Sequence, residues 1–109
     1  MEAKPRTVEV YIAANGTVPF DDWMDGLRDT KGKGQIDSRV SRLERGLLGH
    51  YRDIGDGLIE LKLDNVGPGY RIYCADNGES VLILCAGAKR TQDADIAKAK
   101  YYWSEFRGR

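Results

Sequence analysis

Six side chains able to bind phosphate or move a proton fall on one predicted face of a β-sheet. The segment Leu58–Leu63 alternates between apolar and polar residues, so Glu60 and Lys62 share its polar side. In the following apolar segment, Arg71 and Tyr73 join that side if the residues that alternate with them enter the core. Two further cations stand at the end of the next segment. The six residues are Glu60, Lys62, Arg71, Tyr73, Lys89 and Arg90.

These residue types suit the chemistry of RNA. Arginine and lysine bind phosphates, and a tyrosine ring stacks on an unpaired base. Lys62 or Glu60 beside a ribose 2′-hydroxyl would act as a general base, and Arg71 would stabilise negative charge growing on phosphoryl oxygens. The alternative is structural, because the same charged residues would also serve as ordinary cross-strand ion partners on a solvated sheet face.

Other familiar catalytic and ligand-binding motifs are missing from the sequence. There is no Gly-rich phosphate loop, and the single histidine, His50, has no serine or cysteine partner in a triad-like pattern. We therefore expect His50 on the surface. The two cysteines, Cys74 and Cys85, are too few for a zinc site of familiar spacing. We expect both to be small core residues without a disulfide, with Cys74 opposite about residue 81. The sequence predicts no metal and no cofactor.

Size and charge limit the classes of protein that the chain can form. It has 109 residues with 17 Lys and Arg against 17 Asp and Glu, which predicts a single domain over residues 1–109 and excludes a strongly basic nucleic-acid coat. No apolar run approaches the ~20 residues of a membrane helix. The first residues lack the apolar core of a signal peptide. We expect a cytoplasmic protein without membrane contacts.

The first half of the chain predicts one strand and two helices. Residues 7–12 alternate and are β-branched, which favours a strand. Residues 19–27 have an apolar stripe at helical spacing and begin with proline. Residues 31–34 contain two glycines and are predicted to be a connector. The second helix is predicted to bury Ile36, Val40, Leu43 and Leu47 and to hold Arg39 on another face.

The second half predicts a meander of strands followed by a helix. Leu58–Leu63, 70–74 and 80–86 are strand-like, with a tight turn at 76–78. Thr91 is a candidate cap for a last helix with acidic residues in its first turn. The predicted order is β-α-α-β-β-β-α, an α+β arrangement with a four-stranded sheet rather than a doubly wound parallel fold.

Three segments of the chain resemble the phage-derived addiction module killer branch of the RelE/ParE toxins, close to HigB. They are residues 67–73, which read Gly-Pro-Gly-Tyr-Arg-Ile-Tyr, residues 82–89, and residues 91–99 with their Gln-Asp-x-Asp-Ile pattern. The N-terminal strand, the Phe20/Trp23 helix and the terminal Tyr102-Trp103 also fit. The resemblance implies a RelE-like fold, in which two N-terminal helices and a C-terminal helix pack on a twisted, mainly antiparallel sheet.

The resemblance also implies an activity and partners. Toxins of the RelE type are encoded beside an antitoxin, in this branch a helix-turn-helix DNA-binding protein. They enter the ribosome and cleave mRNA without a metal, through attack of a 2′-hydroxyl on the adjacent phosphate. The implied function is a ribosome-dependent mRNA endoribonuclease that inhibits translation. We expect the antitoxin to cover the basic face or to displace the terminal helix.

Carried onto this sequence, the family's functional positions fall on the residues singled out above. Arg71 matches the phosphate-binding arginine, Lys62 matches a strand lysine that acts as base or charge stabiliser, and one of Lys89 and Arg90 supports the transition state. Glu60 would orient Lys62 or Arg71. Tyr73 is a candidate for base stacking, and Tyr101 or Tyr102 would stand for a C-terminal aromatic residue. The general base stays open among Lys62, Glu60 and a C-terminal residue.

Two other functions fit the same resemblance. A ParE-like protein would inhibit DNA gyrase by binding, without RNA chemistry. A non-toxic remnant would only bind its antitoxin. The zero net charge of the chain favours the remnant over the nuclease, because toxins of the RelE type are usually basic and binding to RNA depends on phosphate neutralisation. The gyrase inhibitor is an alternative because the same fold serves both activities.

Overall fold

A computed structural model describes residues 1–109. It contains three α-helices, a single 3₁₀ turn at Lys89–Thr91, and five strands. The strands are β1 Thr7–Val10, β2 Tyr51–Gly55, β3 Leu58–Leu63, β4 Tyr70–Asn77 and β5 Ser80–Ala88, and the helices are α1 Pro19–Gly26, α2 Thr30–Glu44 and α3 Gln92–Arg107.

The five strands form one mixed sheet in the order β1-β5-β4-β3-β2. The neighbours β2 to β5 pair antiparallel, whereas β1 pairs parallel with β5. The fold is therefore α+β with a mainly antiparallel sheet, as predicted. None of the helices combines the length and the hydropathy that a membrane crossing requires.

The prediction of four strands is wrong, because β2 adds a fifth strand at one edge. Its five residues are mostly exposed, so the strand has little of the apolar alternation that marks β3. The sequence does hold a hairpin signal, since Asp56-Gly57 forms the two-residue connection to β3 with φ of 57° and 80°. Positive φ at both loop residues is what a type I′ hairpin requires, and Asp-Gly is among its preferred pairs.

Side-chain alternation divides the core between the two faces of the sheet. Helices α1 and α2 cover one face, where Ile36 and Leu43 pack against alternate strand residues such as Ile59 and Ile72. Helix α3 covers the other face, where Trp103 packs in the cluster that contains Leu58, Tyr73 and Leu84. Each face of the sheet thus has its own hydrophobic core, as expected for a two-sided layer structure.

Helix α2 begins earlier and ends earlier than predicted. It starts at Thr30, and the Asp29 side chain caps it by accepting a hydrogen bond from the amide of Gly32 at 2.8 Å. The segment 31–34 is therefore helical, not a connector. A Cβ at Gly32 would lie 2.5 Å from Oδ2 of Asp29 and 2.7 Å from Cε2 of Tyr70, so a glycine fits where the helix meets its capping carboxylate and this ring. At the other end, Leu47 lies beyond the helix and is 49% exposed.

Arg39 is buried rather than solvated. It follows Ile36 by almost one turn, so it points toward the sheet, and its guanidinium donates to the carbonyl oxygens of Leu48, His50 and Lys62. Leu48 and His50 lie in the segment before β2, and Lys62 lies near the end of β3. Arg39 therefore fastens α2 to the edge of the sheet through backbone atoms, and burial lowers its pKa.

The hairpin between β4 and β5 has its loop at Gly78-Glu79, one residue later than predicted, with Gly78 at a φ of 75°. Cys74 consequently lies opposite Ile83, not about residue 81. A bulge at Leu84 then shifts the register, so that Cys85 is opposite Tyr73. Both cysteines are buried and free, and they belong to different cores, which agrees with their predicted role as core residues.

Polar contacts fasten the end of α3 to the rest of the chain. Tyr11 donates to Glu105 at 2.6 Å, and Arg109 donates to both oxygens of the same carboxylate at 2.9 and 2.6 Å. The hydrogen bonds from Arg109 and Tyr11 lower the pKa of Glu105 to about 2. Burial, followed by the bond to Glu105, raises the pKa of Tyr11 to about 12.

Candidate functional site

The predicted functional residues of β3 and β4 lie on the face of the sheet that α3 covers. Glu60 pairs with Tyr73 and Lys62 pairs with Arg71 across the two strands. Arg71 is in turn opposite Gly87 on β5. These four side chains occupy the half of the face nearest the start of α3. The far half is apolar and holds Trp103.

This half of the face is not the open, solvated surface that the alternation alone suggests. Glu60 and Tyr73 are 0% exposed and Arg71 is 2% exposed, while Lys62 is half-buried. The cause is the path of the chain after β5. A single 3₁₀ turn reverses the backbone, and α3 then lies directly on the face. Gly87 permits this approach, because a Cβ there would collide with the carboxylate of Asp95 on α3.

Glu60 is the centre of a buried polar group. Its Oε2 accepts from the Tyr73 hydroxyl at 3.1 Å and from Nε2 of Gln92 at 2.8 Å. Its Oε1 faces Nε of Arg52 at 3.3 Å without hydrogen-bond geometry. Burial, followed by the charge and hydrogen bond of Glu60, raises the pKa of Tyr73 far above its ordinary value. In this structure the Tyr73 ring has no exposed side, so stacking on a base would require α3 to move.

Arg71 is held in a second polar group at the end of the sheet. Its Nη2 lies 2.7 Å from Oδ1 of Asp64, and its Nη1 donates to the carbonyl of Tyr70 at 3.2 Å. Its Nε is buried and has no partner. A Cβ at Gly69 would lie 3.5 Å from Cβ of Lys89 and 3.7 Å from Nη1 of Arg71. Lys89, which directly follows β5, and Arg71 therefore flank the same glycine, and Lys62 is in register with Arg71 on the other side.

Two of the predicted residues stand apart from this cluster. Arg90 is exposed in the 3₁₀ turn and makes no hydrogen bond or ion pair. Tyr101 is 66% exposed on α3, about 13 Å along the helix from Gln92 at a rise of 1.5 Å per residue. Tyr102 is half-buried and stacks on Tyr11 with ring centroids 5.0 Å apart. Of the two candidates for a C-terminal aromatic group, only Tyr101 is free to contact a ligand.

Sequence reasoning missed four residues that complete the site. Asp64 pairs with Arg71, His50 lies 3.5 Å from Asp64, and Gln92 and Arg52 contact Glu60. Although burial acts to raise it, the hydrogen bond and charge of Arg71 lower the pKa of Asp64. His50 is exposed, as expected. Asp64 and His50 lie in connections outside any periodic pattern, so only the tertiary fold could identify them.

Comparison with known proteins places the chain in a family. Neither a protein-family model nor a solved structure matches it. It is 42% identical over 90 residues to an uncharacterized protein of Haemophilus influenzae, in an alignment that covers 82% of this chain and 90% of that protein. The chain belongs to the same family as that protein. The aligned share shows that the two proteins have most of their domain in common.

Proposed function

We propose that this protein is the toxin of a toxin–antitoxin pair and that it cleaves mRNA on the ribosome. The observation that carries the proposal is the placement of Lys62 and Arg71 in register across β3 and β4, with Lys89 directly after β5 beside the same glycine as Arg71. The pairing of the strands fixes the separation of the backbone at Lys62 and Arg71. A rigid group of cations is suited to a phosphodiester, whose charge rises in the transition state of cleavage. The resemblance to the RelE/ParE toxins described above agrees with this chemistry.

The proposed reaction is an internal transesterification of RNA. The ribose 2′-oxygen forms a bond to the adjacent phosphorus, and the bond from phosphorus to the 5′-oxygen of the next nucleotide breaks. A base takes the proton of the 2′-hydroxyl, and the leaving 5′-oxygen gains a proton. The products are a 2′,3′-cyclic phosphate and a 5′-hydroxyl. Arg71 and Lys89 would neutralise the non-bridging oxygens in this step.

Burial distinguishes the two sheet residues that were candidates for the base. Glu60 is fully buried, and one of its oxygens already accepts two hydrogen bonds. Lys62 is half-buried at the end of β3, next to Arg71 in register. We therefore propose that Lys62 contacts the 2′-hydroxyl or the phosphate. Glu60 would instead hold Tyr73 and Gln92 in place through its two hydrogen bonds.

The experiment that tests the function is primer extension on a reporter mRNA in a reconstituted translation reaction. We expect new 5′ ends with the purified protein only when ribosomes are present. Lys62→Ala should lower the cleavage rate about 100-fold, the usual size of a lost proton-transfer group. Lys100→Ala, an exposed lysine of α3, is the matched control and should cleave normally. A folded wild-type protein that yields no new ends would contradict the proposal.

The burial of Glu60, Tyr73 and Arg71 favours one second candidate, a gyrase inhibitor without RNA chemistry. In that case only Lys62, Lys89 and Arg90 would contact the target, and no acid–base pair would be needed. A supercoiling assay separates the two functions. Inhibition of gyrase by protein that leaves ribosomal mRNA intact would select the binding function. Absence of both effects, together with normal growth on expression, would indicate a protein that only binds its antitoxin.

The proposed partner comes from the resemblance to the RelE/ParE toxins, and the basic residues indicate where it would bind. A helix-turn-helix antitoxin would neutralise the protein in the cytoplasm by covering Lys62, Lys89 and Arg90 with acidic side chains or by displacing α3. Charge reversal at Lys89 should then weaken the complex. The binding measurement is a pull-down of the antitoxin encoded beside the gene, with Lys100→Glu as the control for added negative charge.

A further inference from the structure

The carboxylate of Asp64 lies among three basic side chains, those of Arg71, His50 and Lys62. Oδ1 of Asp64 is 2.7 Å from Nη2 of Arg71, and its Oδ2 is 3.5 Å from Nδ1 of His50. Lys62 lies two residues before Asp64 and is in register with Arg71. Its positive charge, like that of Arg71, acts to lower the pKa of Asp64. A position where two cationic side chains and an imidazole converge suits an anion, and here the anion is part of the protein chain itself.

The two partners of this ion pair differ in exposure. The Arg71 side chain is 2% exposed, whereas the Asp64 side chain is 41% exposed. Asp64 belongs to the turn between β3 and β4, and it lines an open cleft of about 510 Å³ together with His50, Lys62 and Arg42. The carboxylate is therefore the outer, removable member of the pair. Arg71 does not line this cleft itself, and rotation of Asp64 toward solvent would uncover the Nη2 atom that the carboxylate now contacts.

Arg71 has a donor that Asp64 does not satisfy. The Nε of Arg71 is buried without a hydrogen-bond partner, although Nη1 and Nη2 are both engaged. A guanidinium binds phosphate best through two parallel N–H groups at once. A phosphate has more acceptor oxygens than the single carboxylate oxygen that contacts Arg71. It could take Nε and Nη2 together, and so satisfy the donor that is left free in this structure.

We propose that His50, Lys62 and Arg71 form a binding site for an RNA phosphodiester, and that Asp64 is its displaceable internal counter-ion. The identity of the ligand as RNA rests on the proposed function. The site itself rests on the ion pair of Arg71 with the more exposed Asp64, on the unpartnered Nε, and on the cleft that His50, Lys62 and Asp64 line. Asp64 would keep the site neutral in the free protein, and RNA would bind by exchanging one anion for another. Asp64 thus sets the affinity for RNA without touching the reacting atoms.

Removal of the internal counter-ion should strengthen binding. The probe is a fluorescein-labelled single-stranded RNA decamer with 2′-O-methyl sugars, which cannot be cleaved by a 2′-hydroxyl. We expect Asp64→Asn to bind it about tenfold more tightly than Asp37→Asn, since a charge-assisted hydrogen bond to Arg71 no longer competes. Asp37 is exposed on α2. Both variants lose one negative charge, so they have the same net charge. Equal affinity of the two variants, or weaker binding by Asp64→Asn, would overturn the proposal.

A measurement on the wild-type chain covers the case in which Asp64→Asn does not fold. The Nε–Hε resonance of Arg71 is followed by nuclear magnetic resonance during titration with inorganic phosphate, and it is assigned from its loss in Arg71→Lys. We expect this resonance to shift with a saturable dependence on phosphate. A resonance that stays in place while those of exposed basic side chains move would refute the site.

The two proposals fail separately. Ribosome-dependent cleavage combined with no gain of affinity in Asp64→Asn refutes the counter-ion and leaves the nuclease. Tighter RNA binding by Asp64→Asn without any cleavage refutes the nuclease and supports the anion site.

Discussion

Removal of the Tyr73 hydroxyl tests whether the buried Glu60 depends on its hydrogen bonds. The substitution is Tyr73→Phe, which keeps the ring and deletes the donor to Glu60 Oε2. Tyr70→Phe is the matched control, because Tyr70 is also buried and its hydroxyl donates to Asp29 at 2.7 Å. The two tyrosines differ in the burial of the carboxylate that accepts the hydrogen bond from their hydroxyl group. Glu60 is 0% exposed, whereas Asp29 is partly exposed and also caps α2.

The structure sets the expected difference in stability. A hydrogen bond to a charged group contributes about 1.5–3 kcal/mol. Water cannot replace the lost donor at Glu60, so we expect Tyr73→Phe to lower the free energy of unfolding by about 2 kcal/mol. Water can reach Asp29, and the loss in Tyr70→Phe should be about 0.5–1 kcal/mol. At ~4 °C for each kcal/mol in a domain of this size, Tyr73→Phe should lower Tm by about 8 °C.

Urea denaturation at neutral pH, followed by circular dichroism, measures both variants under one set of conditions. The slope of the transition should be unchanged, since neither variant alters the surface exposed on unfolding. Equal losses in Tyr73→Phe and Tyr70→Phe would refute the argument that the burial of the carboxylate determines the cost. A loss in Tyr70→Phe alone would place the more important tyrosine in the other core.

Three further predictions concern stability and are measured by urea denaturation. Gly32→Ala should cost about 1–3 kcal/mol because the new methyl group meets the Tyr70 ring, whereas Gly34→Ala, which has open space around it, should stabilise α2 by about 0.5–1 kcal/mol; equal effects would refute the contact. Glu105→Gln should destabilise the protein at pH 7. The difference should fade between pH 4.5 and pH 2, because the depressed pKa of about 2 makes the wild-type carboxylate stabilising above its unfolded pKa of 4.5; a difference that persists at pH 2 would contradict this. Asp56→Val should cost about 1–2 kcal/mol at a φ of 57°, and Asp56→Gly should be tolerated; similar losses in both would mean that the turn conformation is not the cause.

The parts of the fold that could be predicted from the sequence depend on local patterns. The alternation in Leu58–Leu63 is enough to place Ile59 and Leu61 in one core, and Glu60 and Lys62 on the opposite face. Strand β2 has no such pattern, because an exposed edge strand needs none. Gly32 and Gly34 make the start of α2 look like a connector in the sequence, whereas the structure shows that Gly32 leaves room for the capping Asp29 and for the ring of Tyr70, which is far away in the sequence.

The sequence was enough to predict which residues make up the candidate site, but not that several of them are buried. Strand parity brings Lys62 beside Arg71, so these residues could be grouped from the sequence. The burial of Arg71 and Glu60 depends on where the chain goes after β5, and no local pattern specifies that α3 returns over this face. The pairing of Arg71 with Asp64 depends on the turn between β3 and β4. Contacts of this kind are properties of the assembled layers.

The parallel pairing of β1 with β5 has a consequence for the order of folding during synthesis. Thr7 pairs with Ser80, and at 5–20 residues per second the partner is made roughly 4–15 s after β1. Until then Val8 and Val10 have no strand to pair with, and α1 lacks the strand against which it packs. β5 lies between β1 and β4 in the sheet. When β5 pairs, it closes the two-residue turn to β4 and the long connection back to β1. Lys89 and Arg90, which follow β5, can therefore reach their places beside the sheet only after β1 to β4 have been synthesised.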